Sequence, residues 1–144
     1  MLPDFRLETY FARWEFSARY HLTASDAQTM SLPDLLALAD NDGRERWESL
    51  TLGYTETYGL PALREAIADT YDTVSAEDVL CFAGAEEAIY LTMQALLGSD
   101  DHVIVLTPNY QAAETIPLSI CEVTGVALRP EDHWALDVDA IARE

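Results

Sequence analysis

Two short turns carry the residues with which this chain could do chemistry. The first lies in VLCFAGAEEAIYL, residues 79–91, where an apolar segment passes through Gly84 and Ala85 into a helix that begins with Glu86 and Glu87. A helix start offers unpaired N–H groups and partial positive charge, and a glycine there leaves room for a ligand to approach the backbone. The second turn, in VLTPNYQ, delivers Tyr110, a flat aromatic, beyond another apolar segment. An anion cradle beside an aromatic face suits a phosphorylated, ring-containing ligand. A plainer reading stays open beside it. Acids in the first turn of a helix oppose its dipole by ~0.3–1 kcal/mol each and need no ligand. Gly84 then only makes a tight turn, and Tyr110 only packs.

The elements that position these turns follow from periodicity. VLCFA (79–83) reads as a short apolar strand, and EEAIYLTMQALLG as a helix apolar on most sides and closed by Gly98, hence buried. HVIVL is continuously apolar, as a parallel strand covered on both faces would be. YQAAETIPLSI reads as a helix with Pro117 in or just after its last turns, CEVTGVAL as a strand, and DVDAIARE as a helix capped by Asp137 or Asp139. The order strand, helix, strand, helix, strand implies a parallel α/β sheet with right-handed crossovers. Ligands of such sheets bind beyond the carboxyl ends of the strands, at the edge where both turns lie.

The first half is more helical. SLPDLLALAD has Ser31 as N-cap and Pro33 in its first turn, after which NDGRERW breaks the pattern. GLPALREAIADTYD reads as an amphipathic helix with Leu63, Ile67 and Tyr71 on one face. The aromatic opening, residues 2–20, fits a helix only in part and reads as an arm that packs on something else.

Composition excludes several function classes. A net charge of −18 repels a phosphate backbone, so nucleic acid is not an expected partner. No apolar run approaches the roughly 20 residues of a membrane span, and the opening lacks the plan of a signal peptide, which makes the cytoplasm the expected compartment. Cys81 and Cys121 are expected as buried free thiols, and His21, His102 and His133 lack metal-ligand spacing. All eight basic residues are arginines. A mechanism that needs a lysine amine cannot be completed by this chain alone.

LGYTETYGLPALREAIADTY (52–71) followed by CFAGAEEAIYLTMQALLGSDDHVIVLTPNYQ (81–111) resembles the N-terminal half of the class I/II aminotransferases, fold type I enzymes that use pyridoxal 5'-phosphate. The shared features are the tyrosine, the Gly-x-Pro-x-Leu-Arg helix start, the strand running into a Gly-Ala turn, and the second strand ending in Pro-x-aromatic. The leader YFARWEFSARYHLTASDAQTMSLPDLLALAD is similar to that of a less characterised branch. The resemblance implies an α/β fold: an N-terminal arm and helices over residues 1–50, then over 51–144 the first part of the parallel-sheet, cofactor-binding large domain.

The same resemblance implies roles. Gly84 forms the turn whose following N–H groups, of Ala85 and Glu86, bind the cofactor phosphate. Tyr110 stacks on the pyridine ring, and Tyr54 reaches across a homodimer to the partner's cofactor phosphate. Arg64 falls on the family's Leu-Arg position, where a structural contact is the expected role. The family's cofactor-bearing lysine, the aspartate on the ring nitrogen and the arginine that grips the substrate carboxylate all come later in its order. An amino acid aminotransferase that this segment serves but cannot complete is the function implied. A lyase or oxidase of the same fold, or a non-catalytic short paralogue that associates with a full-length partner, are the alternatives.

Overall fold

The computed structural model describes residues 2–144, which form two compact units. One joins the residues up to Arg19 with Phe82–Glu144, and the other comprises Tyr20–Cys81.

The first unit is built on two parallel strands, β1 (His102–Thr107) and β2 (Glu122–Ala127), paired in the register His102↔Glu122 through Thr107↔Ala127. Both match the expected strands. Partners in register share a face, so Val105, opposite Gly125, and Val126, opposite Leu106, are buried on opposite faces. The connection between the strands is helix α6 (Gln111–Leu118), which buries Ala112 and Ile116. Pro117 lies inside its last turn and is fully buried. It has no N–H to leave unsatisfied, and its carbonyl accepts from the N–H groups of Ile120 and Cys121 at 2.8 and 2.9 Å. The same unit holds α1 (Arg6–Trp14), α5 (Ala85–Leu96) and α7 (Val138–Arg143). The cap of α7 is Asp137, whose carboxylate accepts from the N–H of Ala140 at 2.8 Å.

Two expectations for this unit are corrected. Residues 79–83 form no strand. A strand exists only as a member of a ladder, and among the described residues no segment offers these backbone groups one. Helix α5 buries none of its residues, and Tyr90, Leu91 and Leu96 are exposed. Its apolar periodicity is real, but the surface that would cover it does not come from the described residues.

The second unit contains α2 (Leu32–Leu38), α3 (Asn41–Glu48) and α4 (Pro61–Ala68). Ser31 caps α2 as expected, its hydroxyl oxygen accepting from the N–H of Asp34 at 3.3 Å. Helix α3 overturns the expected break at NDGRERW: the carboxylate of Asp40 accepts from the N–H of Gly43 at 2.8 Å and starts a helix that the glycine and the charges had hidden. In α4 the inward side is Arg64, Ile67 and Ala68, while Leu63 and Tyr71 are exposed. The face is turned by one residue because Arg64 is drawn in: its Nε donates to the carbonyl of Val79 at 2.9 Å, and its guanidinium lies 5.8 Å from the ring centre of Tyr58. Gly59 is required at its position. Its φ is +114°, and a Cβ there would lie 2.5 Å from the sulfur of Cys81. That approach is locked by the Cys81 N–H donating to the Tyr58 carbonyl at 2.9 Å.

Candidate functional site

The carboxyl end of β1 runs through a cis Thr107–Pro108 bond to Asn109 and Tyr110. Tyr110 is the N-cap residue of α6, and its N–H donates to the side-chain carbonyl of Asn109 at 2.7 Å. The ring is held from one side by Phe5, with ring centres 5.0 Å apart and planes tilted by 53°. It remains 41% exposed, so part of a flat aromatic surface is open to a ligand. An open cleft of ≈ 520 Å³ beside it is lined by residues that include Arg6, Tyr10 and Glu114.

Gly84 precedes α5 with φ +141° and ψ +158°, a conformation that is essentially glycine's alone. A Cβ added there would meet nothing within 4 Å, so the backbone angle, not crowding, demands the glycine, and the space in front of the turn is open. No side chain caps α5. The first residues of a helix have no acceptor within it, which leaves the N–H groups of Ala85 and Glu86 available.

The two acids have distinct tasks. The Glu87 carboxylate turns back and accepts from the N–H of Ala83 at 2.8 Å, so it is taken up by the turn that leads into the helix. The Glu86 side chain faces the Tyr110 hydroxyl. Tyr110 is held above the ordinary tyrosine value of 10.0, first by burial, then by its hydrogen bond with Glu86, then by the negative charges of Glu86 and Glu8. Tyr110 is therefore a neutral phenol at neutral pH.

Gly84, Ala85, Glu86 and Tyr110 thus fall in one unit, where the charge of Glu86 acts on Tyr110. Tyr54 belongs to the other unit, in the segment between α3 and α4, and its ring is fully exposed. Arg64 is engaged in holding the segment before Cys81, as expected for a structural residue. Among the described residues there is no group of three or more histidine, cysteine, aspartate or glutamate side chains that could hold a metal ion, and no helix is long and apolar enough to cross a membrane. Sequence reasoning missed Phe5, Gln111 and the Glu86 side chain. The first two act across more than 100 residues of chain, beyond the reach of any local periodicity.

A cofactor with a phosphate and an aromatic ring fits these residues: two unclaimed backbone donors, open space at a glycine, and a partly exposed ring beside them. Comparison with known proteins shows the family. The sequence profile of the family described as "Aminotransferase class I and II" matches residues 22–144. Aspartate aminotransferase of Pyrococcus horikoshii is 32% identical over 90 residues, covering 58% of this chain and 23% of that protein. Methionine aminotransferase of Escherichia coli K12 is 37% identical over 91 residues, again 58% of this chain and 23% of that protein. The chain thus spans about a quarter of the length of these relatives. Among solved structures, a PLP-dependent aminotransferase from Streptococcus suis superposes with a TM-score of 0.88 at 29% identity, covering 99% of this chain and 39% of that one. The mixed helical and parallel-sheet architecture is accordingly consistent with part of the fold type I architecture, and the chain belongs to the class I and II aminotransferase family.

Proposed function

We propose that this segment holds and orients pyridoxal 5'-phosphate in a complete aminotransferase that acts on an amino acid and a keto acid. The observation that carries the reading is the head of α5, where the N–H groups of Ala85 and Glu86 stand unclaimed behind the open turn at Gly84, with the Tyr110 ring alongside. Backbone donors at a helix start bind a phosphate by direct hydrogen bonds and by the helix dipole. Family membership and the aminotransferase relatives support the choice of cofactor.

In this reading Gly84, Ala85 and Glu86 hold the phosphate, and Tyr110 presents its face to the pyridine ring. Tyr54, exposed on its own unit, reaches the cofactor phosphate of a second copy in a homodimer. Residues 51–144 make up the first part of the cofactor-binding domain, with the arm and first helices before it, and the protein works in the cytoplasm. When bound, the cofactor supplies an electron sink for the pair left at the substrate's Cα. This chain's residues bind it, fix its plane and keep a neutral phenol beside it. They do not move the proton at Cα, because no lysine is present. The 144-residue chain alone is therefore expected to be inactive.

The test is made on the full-length protein. Purified with pyridoxal phosphate, it is expected to show a cofactor band in the near-visible and to convert amino acids to keto acids in the presence of an acceptor. Absence of both cofactor binding and transamination across a panel of amino acids would overturn the reading. Ammonia or peroxide released in place of amino transfer would move the activity to the lyase or oxidase alternative.

A further inference from the structure

Gln111 joins the arm to the site in a way that the proposed function does not use. Its side-chain carbonyl accepts from the N–H of Arg6 at 3.0 Å, and its side-chain NH₂ donates to the carbonyl of Asp4 at 2.9 Å. One amide group thus grips the backbone on both sides of Phe5. The Arg6 N–H is also the first orphan donor of α1, whose N-cap residue, Phe5, supplies no side-chain cap. Between the two gripped positions the ring of Phe5 is presented to Tyr110, at 5.0 Å and 53°. Tyr110 and Gln111 are adjacent, so the residue that fixes the arm sits on the same turn as the ring that the arm supports.

We infer that Gln111 is a positioning residue: by clamping residues 4–6 it seats Phe5 on Tyr110, and so sets the plane in which Tyr110 meets the cofactor ring. The inference rests on the proposed role of Tyr110 and adds the element that orients it. A glutamine suits the position because its planar amide presents an acceptor and a donor side by side at the end of a stem long enough to reach both bonds. A glutamate of the same shape would accept from Arg6 and oppose the Asp4 carbonyl. A tilted aromatic pair of this kind limits the rocking of both rings.

The experiment uses the full-length protein and pyridoxal phosphate, comparing wild type, Gln111→Glu, Phe5→Ala, Phe5→Tyr and Tyr110→Ala. It reads cofactor affinity, the induced circular dichroism of the bound cofactor's visible band, and the thermal midpoint. Gln111→Glu and Phe5→Ala are each expected to weaken cofactor binding about 3- to 10-fold, the scale of one aromatic pair, and to reduce the induced dichroism. Phe5→Tyr keeps the ring and should restore both. The Gln111→Glu, Phe5→Ala double variant should be no weaker than the worse single one, since both act through the same contact. Should Gln111→Glu fail to fold, Gln111→Met, which keeps the length and apolar stem but makes neither bond, carries the same comparison. Wild-type affinity and dichroism in Gln111→Glu and Phe5→Ala, with binding lost in Tyr110→Ala, would overturn the clamp and leave the proposed function standing. A Tyr110→Ala variant that binds the cofactor unchanged would overturn the role of Tyr110 and the clamp with it, leaving the phosphate cradle standing; a wild-type protein that binds no pyridoxal phosphate would overturn the proposed function as well.

Discussion

Gly84 and Gly59 look alike in sequence, each a lone glycine before a helix, and the structure separates them. At Gly84 only the backbone angle is demanding, so Gly84→Ala is expected to cost about 1–3 kcal/mol of stability and to tilt the donors that face the phosphate. At Gly59 a methyl group adds a collision with the Cys81 sulfur to a φ of +114°. Gly59→Ala should therefore be the more damaging of the two in a denaturant titration, with the opposite order counting against the packing described. Tyr110 gives a second residue-level test. Its neutral form is the one the fold favours, so the stability it contributes is present below 10.0 and lost as pH rises through its elevated folded value. Glu86→Gln removes one of the charges responsible and should bring the phenol's titration, followed by tyrosinate absorbance, back toward 10.0; an unchanged titration would break the Glu86–Tyr110 link. The glycine and the tyrosine were legible in the sequence because their residue types announce turn and ring. The Glu86 side chain was not, because its direction depends on where a residue 24 positions later comes to lie.

At the scale of elements, caps account for much of what local sequence specifies. Ser31 could be assigned from position alone, since it precedes an apolar run with helical spacing; for α7 position left Asp137 and Asp139 as alternatives, and the structure gives the cap to Asp137. Asp40 caps in the same way, but α3 carries little apolar signal and a glycine at its third residue, so only the cap marks it. Asp40→Ala should lower stability by about 1 kcal/mol and raise amide exchange over residues 41–48; unaltered exchange there would contradict the capping role. A further cap joins Ser75 and Asp78, where the Asp78 carboxylate accepts from the Ser75 N–H at 2.9 Å and from its hydroxyl at 2.7 Å. These bonds hold Asp78 below the usual 3.8, the hydroxyl contributing most. Its stabilising effect is therefore present above that value and fades as pH falls through the depressed one. Ser75→Ala removes the larger of these bonds and should move its titration, read by NMR, up toward 3.8, while the Ser75 N–H bond still holds it below. The expected strand at residues 79–83 failed for the opposite reason to α3: its apolar pattern is strong, but pairing is a property of two segments and one cannot declare it.

For the whole molecule, the surface says most. Large apolar and aromatic side chains such as Phe16, Leu52 and Tyr54 are almost entirely exposed, and α5 buries none of its residues. Surfaces of this kind mark contacts still to be made. Expressed as residues 1–144, the protein is expected to self-associate or aggregate, which size exclusion with light scattering would show; a cooperative-melting monomer would contradict it. The parallel α/β architecture was readable from the order of elements, and the family from motifs whose spacing combines both units. The arm's place on Tyr110 was not, because it rests on contacts between opposite ends of the chain. Whether the head of α5 is a phosphate cradle can be seen in a crystal structure of the full-length protein with pyridoxal phosphate. Phosphate oxygens are expected within hydrogen-bonding distance of the Ala85 and Glu86 N–H groups, and the pyridine ring against Tyr110. A phosphate held elsewhere, with those two donors facing water, would contradict it.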